Sequence, residues 1–143
     1  MLYLKITGRD PGLNMRYLIS ALSGTLFCCV FFLVYDRFSH GVRSPYMTYL
    51  FLWPLMLELL PAAVLFFSPR IPGPAALTAV LWHTGTAALT VGSALRGVFD
   101  IAGNASLYQR SLMVFGFIML VLALISFIFS IILYYIINNY RDN

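Results

Sequence analysis

Leu112 to Ile137 read LMVFGFIMLVLALISFIFSIILYYII, 26 residues without one charged side chain. A helix of that length rises about 39 Å, more than the ~30 Å hydrocarbon layer of a bilayer. Three further runs are long enough to cross such a layer, near Tyr17–Tyr35, Met47–Phe67 and Ala75–Leu95. The rest of the composition agrees. Of 143 residues, 61% are hydrophobic and 10% charged, whereas a soluble domain is about a quarter charged. The excess apolar surface needs lipid as its solvent. The fold class expected is therefore all-α: a polytopic membrane protein, one four-transmembrane-helix bundle over residues 1–143 with helices near 17–35, 47–67, 75–95 and 112–137.

The connections support that division. Between the runs lie DRFSHGVRSPY, the short SPRIPGP and RGVFDIAGNASLYQRS. The prolines and glycine of the middle one predict a tight hairpin, with the second and third helices as antiparallel neighbours. The third mixes Val98, Phe99, Ile101 and Leu107 with turn residues, as a short interfacial piece would. The first run ends at Asp36-Arg37 without a small-x-small cleavage site, which predicts a retained helix and not a removed signal peptide.

Net charge is +4, with the charges spread over every loop and no basic cluster that could track phosphates. Nucleic acid is thus excluded as a partner, and the bilayer is the expected one. Lys5, Arg9, Arg16, Arg70 and Arg141 lie on one predicted side, against Arg37, Arg43, Arg96 and Arg110 on the other. The richer flank of the first helix points to both termini on the cytoplasmic side. Tyr17, Tyr35, Tyr46, Tyr134 and Tyr135 fall near predicted helix ends, where tyrosine anchors at the headgroups.

Polar residues at membrane depth carry the functional reading. Phe51 to Phe67, FLWPLMLELLPAAVLFF, holds one carboxylate, Glu58, between Pro54 and Pro61. On a straight helix these three fall within about 60° of one another. Each proline frees a carbonyl, that of Leu50 for Pro54 and that of Leu57 for Pro61. A charge at bilayer centre costs about 2.5–3.5 kcal/mol on insertion scales, so this face must turn inward. On the third helix His83, Thr86 and Thr90 share a face with Ala76, Ala79, Ala87 and Ala94. Counted from the hairpin, Glu58 and His83 lie at nearly equal depth and are expected to meet. Two readings of such a pair stay open: a hydrogen bond that fixes helix register, or a substrate, proton or cation site made by Glu58, His83, Thr86 and Thr90.

Other chemistries find no support. Cys28 and Cys29 are adjacent, point about 100° apart on a helix and match no metal spacing, so no metal is expected. Asp36 and His40 could share a face of an extended first helix, but two ligands make no metal site. Haem needs a second axial ligand beside His83, and neither GxSxG nor a Gly-rich phosphate loop is present. Neither a cofactor nor an enzymatic activity is expected. Small residues predict close packing: Thr78, Gly85, Ala88 and Gly92 on the other face of the third helix, Ser20 and Gly24 on the first, and Gly116, Ala123, Ser126 and Ser130 on the fourth. The third helix should be the most enclosed. Asn104-Ala105-Ser106 matches the glycosylation pattern, which three residues do too often by chance to count.

FSHGVRSPYM, with the later DIAGNASLY, resembles stretches of small four-helix bacterial integral membrane proteins that have no assigned function. The resemblance covers most of the chain; it implies the four-helix inner-membrane architecture and carries over no site residue. The small multidrug-resistance transporters are similarly short, four-helix and glutamate-dependent. Their functional glutamate lies in the first helix, whereas the first helix here has no acid before Asp36. Two functions are carried forward: a non-catalytic accessory or regulatory subunit of another membrane protein, and a homo-oligomeric (for instance dimeric) transporter or channel built around Glu58 and His83.

Overall fold

The computed structural model describes residues 11–39, 41, 43–67, 74–103 and 107–141. Among these the chain is all-helical. Helix α1 covers Pro11–Phe38, α2 Pro45–Thr48 and α3 Leu52–Pro54; a π-turn comes next at Leu55–Leu59, then α4 Leu60–Phe67, α5 Ala76–Ile101 and α6 Leu107–Arg141. Two helices are long and apolar enough to cross a membrane, α1 over Met15–Phe38 and α6 over Leu107–Ile137. Leu52–Phe67 is a shorter apolar stretch.

The long helices outrun the expected boundaries. The first is already helical at Pro11, where the described residues begin, six residues before Tyr17. It ends at Phe38, where Ser39 N–H and Oγ–H bond back to the carbonyls of Tyr35 and Asp36, and Gly41 takes φ 89°. The predicted third loop is shorter than expected: Arg96 to Ile101 continue α5, Leu107 to Ser111 open α6, and Gly103 at φ 68° makes the turn. Val98, Phe99 and Ile101 therefore sit on α5 and form no separate interfacial piece.

The second run differs most. In place of one helix over 47–67 there are three short pieces joined by the π-turn. The cause is the two prolines. In an α-helix the Pro61 ring would collide with the carbonyl of Leu57; widening the turn relieves the collision, and Leu60 N–H reaches back five residues to Leu55 O. Ahead of Pro54, Trp53 N–H bonds to Leu50 O at 3.4 Å, which answers one freed carbonyl locally.

Helices α5 and α6 make the main packed layer. They run antiparallel, since Thr78 meets Ser126 while Gly92 meets Met113. Gly85 and Gly116 are the closest approach: a Cβ on Gly85 would lie 2.8 Å from Leu120 Cγ and 2.9 Å from Gly116 O. Leu89 and Ala123 beside them are fully buried. Thr78 and Ser126 hydroxyls share a 2.8 Å hydrogen bond across the same seam. Helix α5 holds more buried residues than any other described helix, nine in all, yet Leu77, Val80 and Val91 form an exposed stripe, so enclosure is not complete.

The start of the second run is a wedge and not a span end. Ser44, Met47 and Leu50 are among the most buried residues of the chain. Ser44 Oγ donates to Asp100 at 2.8 Å, Ser93 Oγ donates to Tyr46 O at 3.0 Å, and Met47 sits against Gly97, where a Cβ would approach it to 3.1 Å. Tyr46, expected as an interfacial anchor, lies beneath the Arg96 guanidinium, 5.3 Å from its ring centre. Asp36 pairs with Arg43, Nε to Oδ1 at 2.9 Å and a second nitrogen to Oδ2 at 3.3 Å. His40, Arg70, the middle hairpin 68–73 and Asn104 to Ser106 lie outside the described residues.

Candidate functional site

The Leu57 and Glu58 step of the π-turn faces Trp82 and His83 on α5. Each neighbour takes one: Trp82 Nε1–H donates to the Leu57 carbonyl, and His83 Nδ1 lies 2.6 Å from Glu58 Oε2. The first bond satisfies the carbonyl that Pro61 leaves without its helical donor. The second is the pairing expected from equal depth. Glu58 is 12% exposed and His83 40%, so the acid is turned away from the surface while the imidazole is half open.

Tyr17 completes the centre. Its ring stacks on His83, centroids 5.6 Å apart and planes 19° from parallel. Expected near a helix end, Tyr17 instead lies inside α1. Helices α1 and α5 thus run parallel, with the second run antiparallel between them. Trp82 and Tyr17 are the two site residues that sequence reasoning missed. A tryptophan beside the histidine at the right depth was the available signal for the first; Tyr17 left none.

Thr86 and Thr90 lie on the His83 face, as the spacing implies, but their hydroxyls are turned to their own helix. Thr86 Oγ1 donates to Trp82 O at 3.0 Å and Thr90 Oγ1 to Thr86 O at 2.8 Å. Their oxygens can still accept a hydrogen bond, while their protons are committed.

Two crevices meet at the pair. The larger, about 710 Å³, lies between α1 and α5; Arg16, Tyr17, Ser20, Gly24, Ala87 and Thr90 are among its lining, with Pro54 and Glu58. Small residues on both walls keep it open, and a Cβ on Gly24 would meet no atom within 4 Å. The smaller, about 320 Å³, lies among α4, α5 and α6 and is nearly all apolar, with Pro61, Leu65, Trp82, Leu124 and Phe127 in its wall. Tyr17, Glu58 and His83 border both. Pro54 and Pro61 do not share one face as a straight helix predicts: the extra residue of the π-turn sends them to different crevices, with Glu58 at the junction.

Among the described residues no group of three His, Cys, Asp or Glu side chains could hold a metal. Cys28 and Cys29 are free thiols. Neither a protein-family model, nor a curated protein, nor a solved structure matches the chain.

Proposed function

We propose that this chain is a four-span protein of the bacterial inner membrane, both termini cytoplasmic, and that it works as a homo-oligomeric, proton-linked transporter or channel centred on Glu58 and His83. Membrane residence is supported by α1 and α6, whose apolar stretches are about four-fifths unburied (17% buried each), unlike the core helices of a soluble protein. The broken second run and α5 are assigned as the other two spans. The alternation in direction of α1, the second run, α5 and α6 fits that assignment. The resemblance of FSHGVRSPYM and DIAGNASLY to small four-helix bacterial membrane proteins agrees with it.

One observation carries the functional reading: a carboxylate and an imidazole 2.6 Å apart border both of the crevices described. Ionisable residues inside a membrane segment are costly and mark ion or proton paths by default. A π-turn, such as the one at the acid, is a distortion frequently found at functional sites. Four helices enclose little space, so a second copy completes the path. The test is proton flux into liposomes holding the purified chain and a trapped pH dye. Glu58→Gln keeps the shape and removes the charge; it should abolish flux with insertion unchanged, and flux equal to the parent's refutes the assignment.

A second reading, an accessory or regulatory subunit of another membrane protein, is favoured by the small-residue walls of the larger crevice. Ser20, Gly24 and Ala87 leave room for a close-packed helix from a partner. Purification in mild detergent separates the two: a different membrane protein in the complex supports the subunit reading, and a defined homodimer supports the transporter.

A further inference from the structure

The centre offers two unused groups to whatever enters the crevices. His83 Nδ1 is engaged by Glu58, and among the described residues no hydrogen bond reaches His83 Nε2 or the Tyr17 hydroxyl. An ionised Glu58 accepts from Nδ1–H and leaves Nε2 as an acceptor; a protonated Glu58 donates to Nδ1 and makes Nε2–H a donor. The same nitrogen can thus bond a hydroxyl in one state and a carbonyl in the other. Tyr17 Oη can do both.

Charge narrows the ligand. Arg16 and Glu58 line the larger crevice with opposite charges, and in the smaller one Glu58 is already paired with His83, so neither space carries an uncompensated charge for an ion. Shape narrows it further. The smaller crevice is walled by Leu65, Trp82, Leu124 and Phe127 and accepts an apolar ring or chain, and both volumes fall in the range of about 300–1,000 Å³ usual for ligand sites. We propose that the crevices bind a neutral amphiphile whose ring bears hydroxyl or carbonyl groups, the chemistry of a hydroquinone or quinone. The head meets His83 and Tyr17, and the tail lies along the apolar wall of Trp82, Leu124 and Phe127. This assignment rests on the Glu58–His83 centre being functional and names what that centre binds.

Trp82 supplies the readout. The chain has two tryptophans, Trp53 and Trp82, so Trp53→Phe leaves one indole, in the wall of the smaller crevice. The full-length Trp53→Phe protein, in mild detergent, is titrated with a decyl-tailed benzoquinone while Trp82 fluorescence is monitored. Saturable quenching is expected, with an apparent affinity weakened at least tenfold by His83→Gln and about threefold by Tyr17→Phe, which keeps the stacked ring. Quenching that rises linearly, as for free N-acetyltryptophanamide in the same micelles, overturns the assignment. So does saturable quenching that His83→Gln and Tyr17→Phe leave unchanged, and so does displacement of the quinone by decylamine or decanoate at equal concentration. Proton flux in Glu58→Gln liposomes is measured without any quinone, so failure of the ligand assignment is distinguished from failure of the function beneath it.

Discussion

Removing the Trp82 donor tests the explanation of the π-turn. Trp82→Phe keeps a ring in the wall and deletes the N–H that bonds the Leu57 carbonyl. That carbonyl has lost its ordinary donor to Pro61, so the variant leaves it unpaired. Intramembrane hydrogen bonds average about 0.6 kcal/mol and reach about 1.7, while an orphaned buried polar group costs about 1–3 kcal/mol. Trp82 is half-buried, which argues for the lower end, about 1 kcal/mol, besides the packing lost from indole to phenyl. In a Pro61→Ala background residue 61 regains an N–H and the Leu57 carbonyl its i→i−4 partner. The indole then contributes packing alone. A double-mutant cycle cancels the packing and should return a coupling of about 1 kcal/mol. The assay is reversible unfolding of the four proteins in mixed micelles. If Trp82→Phe costs the same in both backgrounds to within about 0.3 kcal/mol, the indole does not answer the carbonyl that Pro61 frees, and the account of this turn fails.

Gly85→Val should destabilise the α5–α6 seam by about 1–3 kcal/mol in the same assay, because the first added carbon already meets Leu120 Cγ at 2.8 Å and the Gly116 carbonyl at 2.9 Å. Gly24→Val, where a Cβ meets nothing within 4 Å, should cost less than about 0.5 kcal/mol; equal losses at the two glycines would contradict the packing described. Asp36→Asn should cost less than about 1 kcal/mol and matter still less at 1 M salt, since Arg43 is 66% exposed. A loss above about 2 kcal/mol would mean that the pair is shielded from solvent.

Much of the fold was legible because long apolar runs impose a simple pattern. A run such as Leu112–Ile137 leaves a helix little alternative, and the small residues of α5 and α6 sit where closest approach requires them, at Gly85, Gly92 and Gly116. The meeting of Glu58 and His83 was legible for a related reason: a short connection and a fixed rise per residue set relative depth whatever the details of packing. Helix ends were less legible. Arg96, Asp100 and Gln109 look like loop residues by composition, yet the helix ends accommodate them through contacts that no local pattern encodes, such as Asp100 with Ser44 and Arg96 over Tyr46. Tyr17 escaped for the same reason. Its partner is 66 positions away in the chain, and nothing beside it marks the contact.

The second run departs furthest from the straight helix its hydropathy implies. Pro54 and Pro61 do free two carbonyls, and those carbonyls are answered. Removing the bonds that keep a helix straight also removes the straight-helix register of the residues that follow. One extra residue in a turn rotates the remainder of the helix by about 100°, enough to send Pro61 to a different crevice from Pro54. Glu58 lies inside that turn and borders both spaces, as Tyr17 and His83 do from the helices on either side. The two neighbouring grips, Trp82 on Leu57 and His83 on Glu58, then hold one rotational setting of the turn, so a change that straightens it should move the acid away from the imidazole as well as the carbonyl away from the indole.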